Sequence, residues 1–140
     1  MTLQFDFATS RRILFGAGKV AETGRIAQGF GQHPLLVRGS GQTDVSPVTA
    51  VLKQAGFDWV EAAVSGEPSI DSVRAAAEVA RQNGCDLIVA CGGGSVLDTG
   101  KAVAALLTNP GDLLDYVEVV GKNLPLQNPA APMIAIPTTA

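Results

Sequence analysis

An α/β fold, built as a doubly wound and mostly parallel sheet, is what this sequence predicts, on three observations. Short apolar runs bounded by turn residues alternate with stretches of helical period, the pattern of successive strand–helix units. One run, Leu87 to Cys91, is apolar at every position, as a strand covered on both faces must be. It leads straight into Gly92-Gly93-Gly94-Ser95 and the helical run Val96 to Leu107. The chain of 140 residues, 46% hydrophobic and 16% charged, has material for one domain with a real core.

Taken in order, Leu3, Phe5 and Phe7 alternate with Gln4 and Asp6, predicting a short strand exposed on one side. Arg12 to Phe15 predicts a second, closed by Gly16-Ala17-Gly18, and a helix follows over Lys19 to Gln28, weakened by Gly24. Leu35-Leu36-Val37 is the next buried strand, ending in Arg38-Gly39-Ser40-Gly41. Ser46 is placed to cap a helix whose first position is Pro47, with Val48, Val51, Leu52 and Ala55 inward and Gly56 at its end. Phe57 to Val64 reads as a strand, Gly66-Glu67-Pro68 as a break, and Ser69 to Asn83 as a helix. That helix turns Ile70, Val73, Ala77 and Ala80 inward, turns Arg74, Glu78 and Arg81 to water, and is ended by Gly84. After the glycine turn, Val96, Gly100, Val103 and Leu107 share one helical face, and Asn109-Pro110 stops the helix. Asp112 to Asn128 reads as irregular, with a short strand near Val117 to Val120 as an option. Met133 to Ile136 is a last buried strand before Pro137-Thr138-Thr139-Ala140.

Composition removes several functions. A formal charge of −3 without a Lys/Arg cluster argues against nucleic acid as a partner. No apolar run approaches a membrane span and no secretory signal precedes the first strand, so no membrane partner and a cytoplasmic location are expected. Cys85 and Cys91 lack C-x-x-C spacing and further partners, which predicts reduced core thiols rather than a disulfide or a zinc site. His33, the single histidine, reads as structural or surface, and Asp112, Asp115 and Glu118 as a solvated loop.

The glycine turn is where chemistry is expected. Glycines let a backbone expose its N–H groups, and a helix N-terminus carries roughly half a positive charge, so an anion such as a phosphate suits that point. Ser95, three residues before Asp98, has the S-x-x-D pattern of a helix start. The run lacks both the Walker and the G-x-G-x-x-G spacing, and a tight connection explains the glycines equally well by themselves. In open parallel sheets, however, ligands bind beyond the strands' carboxyl ends. Gly39-Ser40, Gly66-Glu67, Gly92 to Ser95 and Thr138-Thr139 are four such ends, small or polar, able to converge on one crevice.

Ile13-x-Phe15-Gly16-x-Gly18, Gly92-Gly93-Gly94-Ser95-x-x-Asp98-x-x-Lys101 and Ile136-Pro137-Thr138-Thr139-Ala140 occur in an order and spacing that resemble the N-terminal half of the iron-containing (group III) alcohol dehydrogenases. The resemblance spans essentially the whole chain. It implies a Rossmann-like dinucleotide-binding domain over 1–140, followed in the longer parent by a helical domain that holds iron or zinc through an aspartate and three histidines. By that comparison the chain is a piece of an NAD(P)-dependent enzyme that moves a hydride between an alcohol and its aldehyde, inactive by itself, with no catalytic residue and no metal ligand of its own. Homodimers are a further option the family implies.

The same resemblance assigns roles by residue. Gly94 and Ser95 match positions that hold the cofactor pyrophosphate, with Gly93 giving clearance, and Thr138 and Thr139 match the pair that approaches the pyrophosphate and the nicotinamide ribose. Asp98 matches a motif residue, although helix capping and a partner in Lys101 also explain it. Glu67 falls where many members have asparagine, in a loop beside the cofactor. Many members end the second main strand, here Leu35-Leu36-Val37, with an aspartate that favours NAD. Here Gly39 stands there, flanked by Arg38 and Ser40, which implies that NADP is accepted, and preferred over NAD if the Arg38 side chain turns toward the crevice rather than to the other face. Two alternatives stay open: a relative with the same plan and other chemistry, such as dehydroquinate synthase or a polyol or glycerol dehydrogenase, and a stand-alone nucleotide-binding module.

Overall fold

The structure, a computed structural model, describes residues 4–139. Its centre is a four-stranded, all-parallel sheet. In chain order the elements are α1 (Thr23–Ala27), β1 (Pro34–Gly39), α2 (Ser46–Gln54), β2 (Val60–Val64), α3 (Ile70–Gln82), β3 (Leu87–Gly92), α4 (Gly94–Thr108), α5 (Leu113–Tyr116) and β4 (Met133–Pro137). The strands lie side by side as β2-β1-β3-β4, so the chain first moves to one side of β1 and then crosses to the other. That reversal places the switch in strand order between β1 and β3, where parallel sheets open a crevice.

Alternation along the strands sorts the core into two layers. Leu36, Leu87, Val89 and Cys91 face α1 and α2, meeting Ala27, Val48, Leu52 and Phe57. Leu35, Val37, Ile88 and Ala90 face α3 and α4, meeting Val73, Ala77, Val103 and Ala104. Leu35, Leu36, Ile88 and Val89 are fully buried, each worth about 1.5–3 kcal/mol relative to exposure. β3 is buried along its whole length, as its uninterrupted apolar run predicts. α4 lies close upon it because Gly100 has no side chain: a methyl there would come within 2.9 Å of Ala90 Cβ.

The helix ends follow sequence chemistry in part. Ser69 and Ser72 form a reciprocal capping box on α3. Ser46, by contrast, lies inside the first turn of α2, whose N-cap is Val45; the Asp44 carboxylate accepts from the Ser46 N–H at 2.9 Å and does the capping work from outside the helix. Ser95 is likewise no cap. α4 begins two residues earlier than the S-x-x-D pattern predicts, with Gly93 as N-cap and no side-chain bond.

Several expected features differ further. Leu3 lies outside the described residues, and Gln4 to Phe15 forms no strand, leaving Phe5, Phe7, Ile13 and Phe15 exposed. Alternation makes a strand only where a neighbour supplies the ladder, and no described strand does so here. The strand expected from Phe57 begins only at Val60, and Ile70 is more than a third exposed. β4 is a half-exposed edge strand rather than a buried one. No strand forms over Val117 to Val120; α5 precedes it instead, closed by a capping box between Asp112 and Asp115. Those carboxylates are not loosely solvated: Asp112 takes two bonds from Arg74 of α3, at 2.6 and 2.7 Å, and Asp115 takes Lys122 Nζ at 2.7 Å.

The stretch up to Asn128 is irregular yet tied. Buried Asn109 accepts the Gln127 and Asn128 N–H groups at 2.8 Å each and donates to Ala105 O. Among the described residues no helix is long and apolar enough to cross a membrane.

Candidate functional site

All four strands run in one direction, so their carboxyl ends lie along a single rim in the order Val64, Gly39, Gly92, Pro137. Backbone bonds tie that rim together. Ser40 N–H donates to Val64 O at 2.8 Å, and Thr138 N–H donates to Gly92 O at 3.1 Å.

The three glycines of the turn play three different parts. Gly92 is a packing glycine: a methyl there would lie 2.6 Å from Val96 Cγ2 and 2.8 Å from Val96 Cβ. Gly93 is extended, at φ −77° and ψ −173°, and a methyl on it would touch Thr139 at 3.8 Å. Gly94 faces open space, with nothing within 4 Å of where its Cβ would stand. None of the three takes a positive φ, so it is room rather than handedness that asks for glycine here.

At the start of α4 the Val96 and Leu97 N–H groups both donate to Gly93 O at 3.1 Å. The amides ahead of them, of Gly94 and Ser95, are those a helix leaves without an internal acceptor. With the positive end of a fifteen-residue helix behind them, they offer donors to an anion at the bare face of Gly94.

The structure brings most of the expected residues to this rim. Gly93 and Thr139 are neighbours, and Thr138 is bonded to the same turn. Across the switch point, a methyl on Gly39 would have ordinary clearance, 3.5 Å from Thr43 Oγ1 and 3.9 Å from Val96 Cγ2. Gly39 therefore looks onto the first turn of α4, with Ser40 next to it. Glu67 sits apart, exposed in the loop after edge strand β2. Asp98 is exposed one turn into α4 and accepts from Lys101 Nζ at 3.0 Å, the local pair that three-residue spacing predicts.

Arg38 does not reach into the crevice. Its Nε donates to Glu61 Oε2 on β2 at 2.7 Å and its Nη1 to Gly39 O at 3.2 Å. Sequence reasoning passed over Glu61, Thr43 and the packing role of Gly92. Only a period-2 signal on Trp59 and Glu61 hinted that these two share a face, and nothing local told which strand they would meet.

Neither cysteine is a nucleophile here. Both are buried and free, and burial pushes each thiol up, helped at Cys91 by the charge of Asp44 and at Cys85 by that of Asp86. Among the described residues no group of three or more His, Cys, Asp or Glu could hold a metal ion. His33 serves through its backbone, its N–H donating to Asp86 Oδ1 at 2.8 Å at the opposite end of β3.

Residues 10–140 match the family model for iron-containing alcohol dehydrogenase. The chain is 33% identical, over 83% of its length, to NADH-dependent butanol dehydrogenase A of Clostridium acetobutylicum, of which it covers 31%. It is 34% identical, over 99% of its length, to sulfoacetaldehyde reductase of Bilophila wadsworthia, covering 36% of that protein. Among solved structures it superposes on sulfoacetaldehyde reductase from Bifidobacterium kashiwanohense in complex with NAD+, with a TM-score of 0.80, 27% identity, and coverage of 99% of this chain and 37% of that one. The chain thus spans about a third of the length of the relatives it matches.

Proposed function

This chain belongs to the iron-containing alcohol dehydrogenase family, and we propose that it is the nicotinamide-dinucleotide-binding domain of an oxidoreductase that interconverts an alcohol and an aldehyde or ketone. The observation that carries the reading is the bare face of Gly94 at the N-terminus of α4, set at the switch in strand order, next to Gly93, which meets Thr139, and to the first turn of α4, onto which Gly39 looks. A pyrophosphate fits that place because it needs several N–H donors, a positive potential and no side chain in its path. The relatives' own names point the same way: one is NADH-dependent, and another was crystallised with NAD+.

When bound, the nicotinamide group supplies the hydride acceptor or donor; this chain's residues bind and orient it. Gly94 and Ser95 offer amides to the pyrophosphate, Gly93 keeps the approach clear, and Thr138 and Thr139 border the far side with two hydroxyls. Gly39 and Ser40 receive the adenosine ribose. The position of Gly39 has room and no carboxylate, so nothing there repels a 2′-phosphate, and NADP is accepted beside NAD. Metal ligands, substrate contacts and the catalytic constellation belong to chain beyond these 140 residues, in a second, helical domain.

The test is binding followed by turnover. The intact protein is expected to enhance NADH and NADPH fluorescence on titration, and to oxidise a primary alcohol only when supplied with Fe²⁺ or Zn²⁺. The chain of 140 residues alone is expected to show no turnover. Binding of neither nucleotide overturns the reading, as does metal-dependent alcohol oxidation by the 140 residues alone.

A further inference from the structure

Arg38 ends β1 beside Gly39, and its guanidinium is held from two sides. Nε meets Glu61 Oε2 at 2.7 Å, and Nη1 meets the Gly39 carbonyl at 3.2 Å. Glu61 is fixed in turn, its Oε1 accepting the Trp59 indole N–H at 3.2 Å. The ladder explains the meeting: Leu36 stands opposite Glu61 and Arg38 opposite Ala63, so Arg38 and Glu61 lie on a diagonal of one sheet face. The Arg38 bond, and after it the Trp59 bond, holds the Glu61 carboxyl below the usual range, so it stays ionised through neutral pH. Both side chains remain partly exposed, at 33% and 40%, so the pair is open to solvent beside the carboxyl end of β1.

Resting on the cofactor reading above, we infer that Glu61 is a positioning residue that sets discrimination at the cofactor's 2′ position by holding Arg38 in a neutral pair. Gly39 removes the carboxylate that would repel a 2′-phosphate, and its carbonyl accepts from the Arg38 guanidinium at that strand end. A free guanidinium there would attract the phosphate dianion strongly, with two N–H groups in a fork that fits it. Paired to Glu61, it presents almost no net charge and so neither attracts nor repels the phosphate strongly. A 2′-hydroxyl is indifferent to either. The pair therefore holds the site tolerant of both cofactors, and Glu61 is the lever that tips it.

The experiment measures NADPH and NADH dissociation constants by fluorescence titration of the intact protein, in wild type, Glu61→Gln, Arg38→Gln and the double variant. Glutamine keeps the acceptor for Trp59 and removes the charge. NADPH is expected to bind about fivefold tighter in Glu61→Gln, with NADH unmoved within about twofold, and added salt is expected to shrink the gain. Arg38→Gln and the double variant are expected to lack the gain. Should Glu61→Gln fail to fold, Trp59→Phe removes only the second bond to Glu61 and is expected to shift the ratio the same way by less. An unmoved NADPH/NADH ratio in the variant tested overturns the inference. A loss of NADPH binding in Arg38→Gln alone also overturns it, since Arg38 would then already hold the phosphate. Wild type that binds neither nucleotide overturns the cofactor reading itself, whereas binding of both with an unmoved ratio overturns only the role of Glu61.

Discussion

Substituting two glycines of one turn, Gly92 and Gly94, separates folding from binding. Gly92→Ala adds a methyl 2.8 Å from Val96 Cβ, an atom attached to the α4 backbone and unable to swing away. α4 would have to move outward by several tenths of an ångström while Gly100 keeps it close to Ala90. Overpacking of this kind costs about 2 kcal/mol, which in a chain of 140 residues lowers Tm by about 6 °C. Gly94→Val is the opposite case. Its side chain meets open space, its φ is not in the left-handed region, and valine is no worse than glycine in a helix, so stability should change by less than about 0.5 kcal/mol. The same side chain fills the place proposed for the pyrophosphate. Cofactor affinity should fall at least about tenfold, about 1.4 kcal/mol. Thermal melts and NADH titrations on the intact protein and both variants make the measurement. A Gly94→Val protein that melts normally and binds NADH as wild type does would refute the assignment of the anion to this turn. A Gly92→Ala protein as stable as wild type would refute the packing argument.

Two further outcomes follow from the geometry. Gly39→Asp has ordinary clearance to Thr43 and Val96, so the variant should fold and should move the NADPH/NADH affinity ratio at least about tenfold toward NADH; an unmoved ratio would place the adenosine ribose elsewhere. Asp112 is held well below the usual carboxylate range by the Arg74 guanidinium and then by the Leu114 N–H. A depressed folded-state value means that its stabilisation is present above the unfolded value and is lost as pH falls toward the folded one. Asp112→Asn should therefore lower Tm by a few degrees at pH 7, with the gap closing progressively below about pH 4 and narrowing in high salt. A gap that stays constant with pH would remove the ion pair as its cause.

What the sequence determined was whatever depends on neighbours along the chain. The uninterrupted apolar run Leu87 to Cys91 could only be a fully covered strand, and it is. Ser69 with Ser72, and Pro47 near the start of α2, set helix starts within a residue, because capping and proline chemistry act over one turn. The glycine turn, the four small or polar strand ends and the three spaced motifs were also legible, and with them the family. Tertiary structure decided the rest. Phe5, Phe7 and the Ile13 to Phe15 run have strand-like patterns but no described ladder partner, and a strand without a partner is only an extended chain. The order β2-β1-β3-β4 put Gly39 and Gly94 on one crevice, although fifty-odd residues separate them. Most of all, the direction of Arg38 was undetermined until β1 paired with β2. That register, Leu36 against Glu61, set a carboxylate 2.7 Å from a guanidinium, and a Coulombic contact so long in range along the chain leaves no local trace in the sequence.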